Sequence, residues 1–378
     1  METSEMTIIH YIASPFWGGG EQYIYTLAQQ LIAVYHYRII FVCQPGTSQQ
    51  MCDKFATLGP IYLLKPSTRN GKFSFMTAMR LANIARKEHA SILHIHELKE
   101  IFIGVYAKIF CRGHLRLIAT RHIVGPAKSK ITWLWAYRHI DTMIFVSQLV
   151  ANTFLCQPSV KRALPRTHVI HNSVAHHNDT DHTPIDIRRQ YQLPSHAKIV
   201  CFHGRICAEK GIMQLLPELS STMERIPLYI LIAGAISDTD RAAWELLMQT
   251  LPFKDKIIFV GFRTDILRLI GQCDIGIVPS VVAEAGGPLA LLEYMLIGCA
   301  VIASDNGSES EYLRRGIDGI LCPPTDYEAW RKAIGYLATN DKERATFTKN
   351  AQHHFQETFS YPIFLQKIHN LYEHSITK

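Results

Sequence analysis

The sequence of 378 residues predicts an α/β protein made of two doubly wound parallel sheets, one in each half of the chain. Three observations predict this. Short apolar, β-branched runs alternate with segments of helical spacing, first up to Val174 and again from Lys198 onward. A polar, aperiodic stretch from His176 to Pro184 separates the two series. In both series, glycine-rich turns and charged residues fall just after strands, where such sheets collect their ligands.

In the first half, Thr7 to Ala13 reads as a strand and Tyr23 to Ala33 as a helix. Gly18, Gly19, Gly20 and Glu21 form the turn between them. Strand, glycines, helix makes a loop whose free N–H groups can face an anion, although the turn is neither Gly-x-Gly-x-x-Gly nor a P-loop. Further strands are expected at Arg38 to Val42, Ile61 to Leu64, Ile92 to His96, Arg116 to Thr120, Thr142 to Val146 and His168 to His171. Helices are expected near 47–57, 74–88, 99–110, 130–138 and 147–156. Two strand ends carry histidine. His94 and His96 alternate on one strand, so both face one side. They read either as hydrogen-bonded strand-end residues or, with Glu97, as metal ligands. Arg121 and His122 end the next strand. Residues 123–138 mix Lys128, Lys130 and Arg138 with Trp133, Trp135 and Tyr137. This composition suits a helix packing its aromatic face inward or one lying on a lipid headgroup layer.

The stretch around His176, His177, Asp179 and His182 reads as a solvated linker, with metal chelation as the other reading. In the second half, the strand from Lys198 runs into Gly204-Arg205, and Lys210-Gly211 opens a helix from about 212. Two cations at one strand end can neutralise a diphosphate as its charge grows on leaving. A strand at Leu228 to Ala233, a helix near 239–249 and a strand at Lys256 to Val260 follow, the last running into Phe262 and Arg263. Asp274 to Val278 is a buried strand, and Leu289 to Leu296 is a helix. Glu284, Gly286, Gly287 and Pro288 form the turn between them, with Pro288 at the expected first helical position. A carboxylate beside free helix N–H groups is suited to hydroxyls, because a phosphate would repel it. After a strand at Ala300 to Ala303, residues 326–338, 341–357 and 361–375 read as helices.

Composition narrows the classes. Hydrophobic residues make up 48% and charged residues 19%, which excludes a disordered chain. No apolar run reaches the length of a membrane-spanning helix. The acidic segment Met1 to Met6 is not a signal peptide by its pattern. Nine scattered cysteines without a Cys-x-x-Cys pair suit a reducing compartment. The net charge of +7 is lopsided. Residues 1–178 carry 19 Lys and Arg against 8 Asp and Glu, whereas residues 179–378 carry 20 against 24. A basic half suits an anionic partner such as a membrane surface or an acidic acceptor. No nucleic-acid recognition motif accompanies it.

These motifs, taken in order, resemble the retaining GT-B glycosyltransferases of family four over nearly the whole chain. Gly204-Arg205 followed by Lys210-Gly211 matches closely, as does Thr120-Arg121-His122. The pattern Glu, seven residues, Glu is met with a departure. Eight residues separate Glu284 from Glu293, whereas Glu293-Tyr294-Met295 matches the family's Glu-Ala-Met end and Gly287-Pro288 sits where Phe-Pro or Phe-Gly usually does. Either a one-residue bulge returns Glu284 to position or Ala285 holds that register and the first carboxylate is absent. Asp305 to Glu311 only weakly matches the family's Gly-Gly-x-x-Glu, and Asn172-Ser173 stands for its Asn-Gly.

The resemblance implies two Rossmann-like domains facing across a cleft: 1–178 for the acceptor, a linker at 179–196, 197–358 for the donor, and a C-terminal helix at 359–378 crossing back. It implies transfer of a sugar, with retention, from a UDP- or GDP-sugar to a sugar or lipid-linked saccharide acceptor. Arg205 and Lys210 would hold the diphosphate, Glu293 the ribose, and Phe262 and Arg263 the base. Glu284, Gly286, Gly287, Pro288 and Leu289 would hold the sugar, with Gly204 and Gly18 to Gly20 giving close backbone approach. His122 would stabilise the sugar in transfer, and Glu21, His96 and Arg121 would lie on the acceptor side. No metal or other cofactor is expected, since Arg205 and Lys210 supply the positive charge. A cytoplasmic place, peripheral on the inner membrane face, and a role in envelope polysaccharide, lipopolysaccharide or glycolipid synthesis fit the basic half. A sugar-nucleotide epimerase and a non-catalytic sugar-nucleotide or partner binder are the alternatives.

Overall fold

A computed structural model of the protein describes residues 6–12, 14–15, 17–64, 75–175 and 185–377. The chain forms two units. The first runs to His171 and takes back Pro362–Lys378, and the second is Asn172–Tyr361.

The first unit opens with β1 (Thr7–Ile12), α1 (Gly19–Tyr35), β2 (Arg38–Cys43), α2 (Gln49–Ala56), β3 (Ile61–Leu63) and α3 (Phe75–Lys87). Next come β4 (Ile92–Ile95), α4 (Ile101–Phe110), β5 (Arg116–Arg121), α5 (Ile131–Arg138) and β6 (Thr142–Phe145). Then α6 (Gln148–Phe154), α7 (Pro158–Ala163) and β7 (Thr167–Val169) complete the run. The seven strands are ordered β3-β2-β1-β4-β5-β6-β7. All the pairings are parallel. Every residue of β1, β4 and β6 is buried, as expected of strands covered on both faces.

The second unit contains α8 (Ile187–Gln190), β8 (Lys198–His203), α9 (Ile212–Glu218), α10 (Ser220–Arg225), β9 (Leu228–Ala233) and α11 (Arg241–Thr250). It continues with β10 (Ile257–Gly261), α12 (Ile266–Ile270), β11 (Ile275–Val278), α13 (Leu289–Ile297), β12 (Ala300–Ser304) and α14 (Glu309–Tyr312). β13 (Ile320–Cys322), α15 (Tyr327–Thr339) and α16 (Asp341–His354) close it. Its six parallel strands are ordered β10-β9-β8-β11-β12-β13. One apolar cluster packs Trp330, Trp244 and Leu216 on one face of this sheet, and another packs Tyr294, Tyr312 and Met295 on the other. The last helix, α17 (Tyr361–Ile376), returns to the first unit. There Tyr372 Oη lies 2.7 Å from His94 Nδ1, and Tyr37 Oη lies 2.7 Å from His369 Nδ1 and donates to Glu373 Oε1 at 2.9 Å.

Several boundaries differ from the sequence reading. The first unit ends at His171 and not at residue 178, because the Asn172 N–H donates to Tyr312 Oη and Ser173 Oγ donates to the Phe359 carbonyl. Residues 185–196 are not a spacer: fully buried Ile187 on α8 belongs to the second unit's core. The helix expected from 212 is two helices, α9 and α10, since Pro217 has no N–H to carry the ladder onward. The helix expected over 341–357 gives way after His354 to a π-turn at Phe355–Phe359, which buries both phenylalanines. The strand expected at His168 to His171 lies at Thr167–Val169. His176, His177, Asp179 and His182 lie outside the described residues.

In each sheet the strand order reverses at one point, between β1 and β4 and between β8 and β11. Ligands in such sheets bind beyond the carboxyl ends of the strands at that point.

Candidate active site

In the second unit, the loops leaving β8 and β11 flank the reversal point. Lys210 ends a short 3-10 turn after β8, and Gly211 follows at φ +73°. A Cβ at Gly211 would lie 1.8 Å from the Pro279 carbonyl oxygen, so only glycine lets these two loops touch. Val281 N–H donates to the Glu209 carbonyl at 2.9 Å and ties them further. The contact brings Lys210 to Glu284, whose side chains form an ion pair through Nζ and Oε1. Ser280 Oγ donates to the same carboxylate oxygen at 2.7 Å.

The 280–288 turn is held from behind as well. Ser308 N–H donates to the Glu284 carbonyl at 3.0 Å, Gly287 N–H donates to Ser308 Oγ at 2.7 Å, and Tyr312 Oη donates to the Gly286 carbonyl at 2.7 Å. The turn is thus pinned, with Glu284 aimed at Lys210. α13 begins at Leu289, and Pro288 is its cap and not its first residue.

Arg205 stands apart from this pair. Its side chain is exposed and, among the described residues, pairs with Glu209 at 3.8 Å, an exposed contact of little energetic consequence. Glu293, on the first turns of α13, forms an ion pair with His203 Nε2 at 2.9 Å. Burial, the largest single influence, would lower the His203 pKa, but Glu293 and Cys201 together outweigh it and raise the ring above its ordinary value. Phe262 is 75% exposed beyond β10, an edge strand two places from β8, and is free to stack. Arg263 is taken up by Asp265 in a bidentate pair at 2.7 and 2.6 Å. Behind the pinned turn lies Glu309, wholly buried, with neither carboxyl oxygen in a well-formed hydrogen bond. Burial is the main reason its pKa is pushed up to about 8, and Glu284 adds to the effect.

In the first unit, extended Gly18 caps α1 and Gly19 and Gly20 begin it. A Cβ on Gly19 or Gly20 would meet nothing within 4 Å, so packing does not demand glycine there. What glycine leaves is a bare helix N-terminus. Glu21 is buried and folds back so that its Oε2 approaches Gly18. His122 directly follows β5, with its ring edge-on to Tyr23 at 4.9 Å and parallel to His96 at 5.8 Å. Burial, helped by Arg121, lowers the His122 pKa to about 4, so the ring is neutral at pH 7, and its buried Nε2 has no hydrogen-bond partner among the described residues. Arg121 is half-buried, its guanidinium 5.6 Å from the Phe154 ring centroid and its Nε without a partner.

Three buried histidines, His10, His94 and His96, cluster closely enough to suggest a metal. Several of their nitrogens are engaged by neighbouring side chains, while His10 Nε2 and His96 Nδ1 have no hydrogen-bond partner among the described residues. His94 has both nitrogens engaged at 2.7 Å, by Tyr372 Oη and Thr120 Oγ1, and His10 Nδ1 lies 2.9 Å from His96 Nε2, a hydrogen-bond distance. Desolvation lowers all three pKa values, His10 to about 3, so these rings are neutral. Glu97 pairs with Lys99. Between 123 and 138, Trp133 packs on Phe102 at 4.9 Å and Trp135 on Tyr106 at 5.7 Å, whereas Ile123 and Ile131 are exposed.

The structure thus gathers Lys210, Glu284 and the Gly286-Gly287 backbone at one reversal point, and Gly18 to Glu21, His96 and His122 at the other. Sequence reasoning did not single out His203, Ser280, Ser308, Tyr23 or His10 as site residues. Only His203 carried a local signal, since it directly precedes Gly204-Arg205.

Two family models cover most of the chain, Glycosyltransferase Family 4 over residues 17–177 and Glycosyl transferases group 1 over residues 185–354. An uncharacterized glycosyltransferase of Methanocaldococcus jannaschii is 27% identical over 191 residues, which is 50% of this chain and 48% of that protein. A D-inositol 3-phosphate glycosyltransferase of Corynebacterium glutamicum is 26% identical over 196 residues, or 50% and 46%. The chain thus spans about half the length of the curated relatives it matches. Among solved structures, a glycosyltransferase from Rickettsia africae superimposes with a TM-score of 0.85 at 20% identity, covering 99% of both chains. The Anabaena protein HepE, solved in complex with UDP and glucose, does so at 0.75 and 20%, covering 97% of this chain and 99% of that one. These likenesses establish the fold as GT-B. With both family models matched in order along one chain, the protein belongs to the family-four, group 1 glycosyltransferases.

Proposed function

We propose that this protein transfers a sugar from a nucleotide-diphosphate sugar to an acceptor hydroxyl, with retention at the anomeric carbon. The observation that carries the reading is the Lys210–Glu284 pair at the strand-order reversal of the second sheet. An incoming diphosphate would take Lys210 from Glu284 and draw in the exposed Arg205, and the two cations would stabilise it as leaving group. Glu284, still held by Ser280, would then turn to the sugar hydroxyls together with the backbone of Gly286, Gly287 and Leu289. Glu293 would take the ribose, and exposed Phe262 and the Arg263 backbone the base. In the first unit, neutral His122 with its orphaned Nε2 is the group suited to the transferred sugar. Glu21, His96 and Arg121 line the acceptor side. A front-face transfer needs mainly positioning and leaving-group stabilisation, so the reaction needs no metal.

UDP is the favoured nucleotide, because the similarly folded HepE is described in complex with UDP and glucose, and GDP is the second choice. The basic first half favours a lipid-linked or otherwise anionic acceptor in envelope polysaccharide or glycolipid synthesis at the inner membrane face. The test is transfer from a panel of radiolabelled UDP- and GDP-sugars to a membrane-lipid extract in EDTA, with Arg205→Ala beside the wild type. Transfer with retained configuration, lost in Arg205→Ala, is expected. Wild-type turnover in that variant sinks the phosphate site. Release of an altered nucleotide sugar without acceptor consumption makes the protein an epimerase.

A further inference from the structure

Tyr294, next to Glu293 on α13, is fully buried, and the surrounding structure makes room for it. Its ring lies against β11 where Gly276 stands, and a Cβ at Gly276 would fall 2.3 Å from the Tyr294 ring. Its hydroxyl accepts from the His203 backbone N–H at 3.0 Å and donates to the Cys201 carbonyl at 2.8 Å, pinning the last residues of β8 to α13. The pinned strand end then presents the His203 ring, edge-on to Tyr294 at 5.1 Å, with Nε2 2.9 Å from Glu293 Oε2, an ion-pair distance whose angle falls short of a well-formed hydrogen bond. Both partners are mostly buried, at 11% and 19% side-chain exposure, so the pair is far less screened by water than a surface bridge. One carboxylate oxygen of Glu293 is thereby engaged, and Oε1 has no partner among the described residues.

Resting on the donor reading above, we propose that His203 is a positioning residue. As an imidazolium it locks the Glu293 carboxylate in the orientation that receives the ribose hydroxyls of the donor nucleotide, which makes donor affinity depend on the protonation of His203. The groups facing the ring are Glu293 and Tyr294 from α13 and Cys201 from β8, with the buried Cys273 and Cys299 thiols beyond them. Burial is the largest single influence and disfavours the charged ring, but Glu293 and Cys201 together outweigh it. The sign follows. A histidine whose pKa is raised above 6.5 holds its proton, and its lock, below that raised value and loses both as the pH climbs through it.

The experiment is calorimetric titration with UDP, GDP and ADP from pH 6 to 9, each beside its 2′,3′-dideoxy counterpart, on wild type, His203→Gln and Tyr294→Phe. For the nucleotide that wild type binds, affinity should fall several-fold, on the order of tenfold, across the alkaline limb. The dideoxy ligand should bind more weakly and show no such limb, a comparison that needs no variant. His203→Gln should bind the ribonucleotide as weakly at pH 6 as wild type does at pH 9. Tyr294→Phe, which keeps the ring pair, should melt earlier yet retain the limb. Equal pH profiles for ribose and dideoxy ligands, or a His203→Gln protein with wild-type affinity and limb, overturn the proposal while leaving the donor site standing. Absence of binding by all three nucleotides at every pH overturns the donor reading, and the proposal with it.

Discussion

Glu309 shows how much a single residue can be made to carry. Its carboxyl is fully buried without a well-formed partner, and its pKa is pushed to about 8 against an ordinary value of 4.5. The folded protein therefore keeps a proton that the unfolded chain releases from about pH 4.5 upward. Between those two values stability falls as the pH rises, by up to about 1.4 kcal/mol per pH unit from this group. Glu309→Gln, isosteric and neutral, should gain in melting temperature relative to wild type as the pH goes from 5 to 8. A difference that stays flat over that range would mean the carboxyl is not held protonated. The sequence showed that an acid stood in this loop, but not that it was buried. The neighbouring Lys210 and Glu284 were legible, because their motifs fall at recognisable strand ends. Their pairing was not, since it depends on the order in which the strands lie in the sheet.

At the scale of elements, the site is two loops made to touch. The contact rests on Gly211, where a side chain would require both the left-handed φ of +73° and space already held by the Pro279 carbonyl. Gly211→Ala should therefore cost on the order of 2–4 kcal/mol of stability and weaken nucleotide binding by separating Lys210 from Glu284. Urea unfolding and titration of the same sample check both effects. Wild-type stability in this variant would show that the loops separate freely. The long parallel strands and α1, α3, α13 and α15 were legible from apolar runs and helical spacing. Short α7, α8, α12 and α14 were not, because four to six residues carry too little period to distinguish a helical turn from a loop. The one-residue insertion before Glu293 could not be resolved from spacing. The hydrogen bonds that hold this turn come from Ser308 and Tyr312, well downstream.

For the whole molecule, two units of like architecture carry unlike charge, basic to residue 178 and mildly acidic after it. No helix among the described residues is long and apolar enough to cross a membrane. If the first half meets an anionic surface, binding to vesicles containing anionic phospholipid should fall steeply between 50 and 500 mM salt, about as Debye screening does. Equal binding to neutral vesicles, indifferent to salt, would refute that partner. Two sheets each with one reversal point were foreseeable from the repeated strand–turn–helix pattern. The return of α17 to the first unit depends on partners such as Tyr37 and His94, hundreds of residues away.

The most direct test of the central claim is isothermal titration of wild type and Lys210→Ala with UDP, GDP and ADP in the presence of EDTA. The account predicts that one nucleoside diphosphate binds wild type without a metal and that Lys210→Ala weakens it by at least about tenfold, the effect of one lost charge-assisted contact to phosphate. Wild-type affinity in Lys210→Ala, or no binding of any nucleotide by wild type, would contradict it.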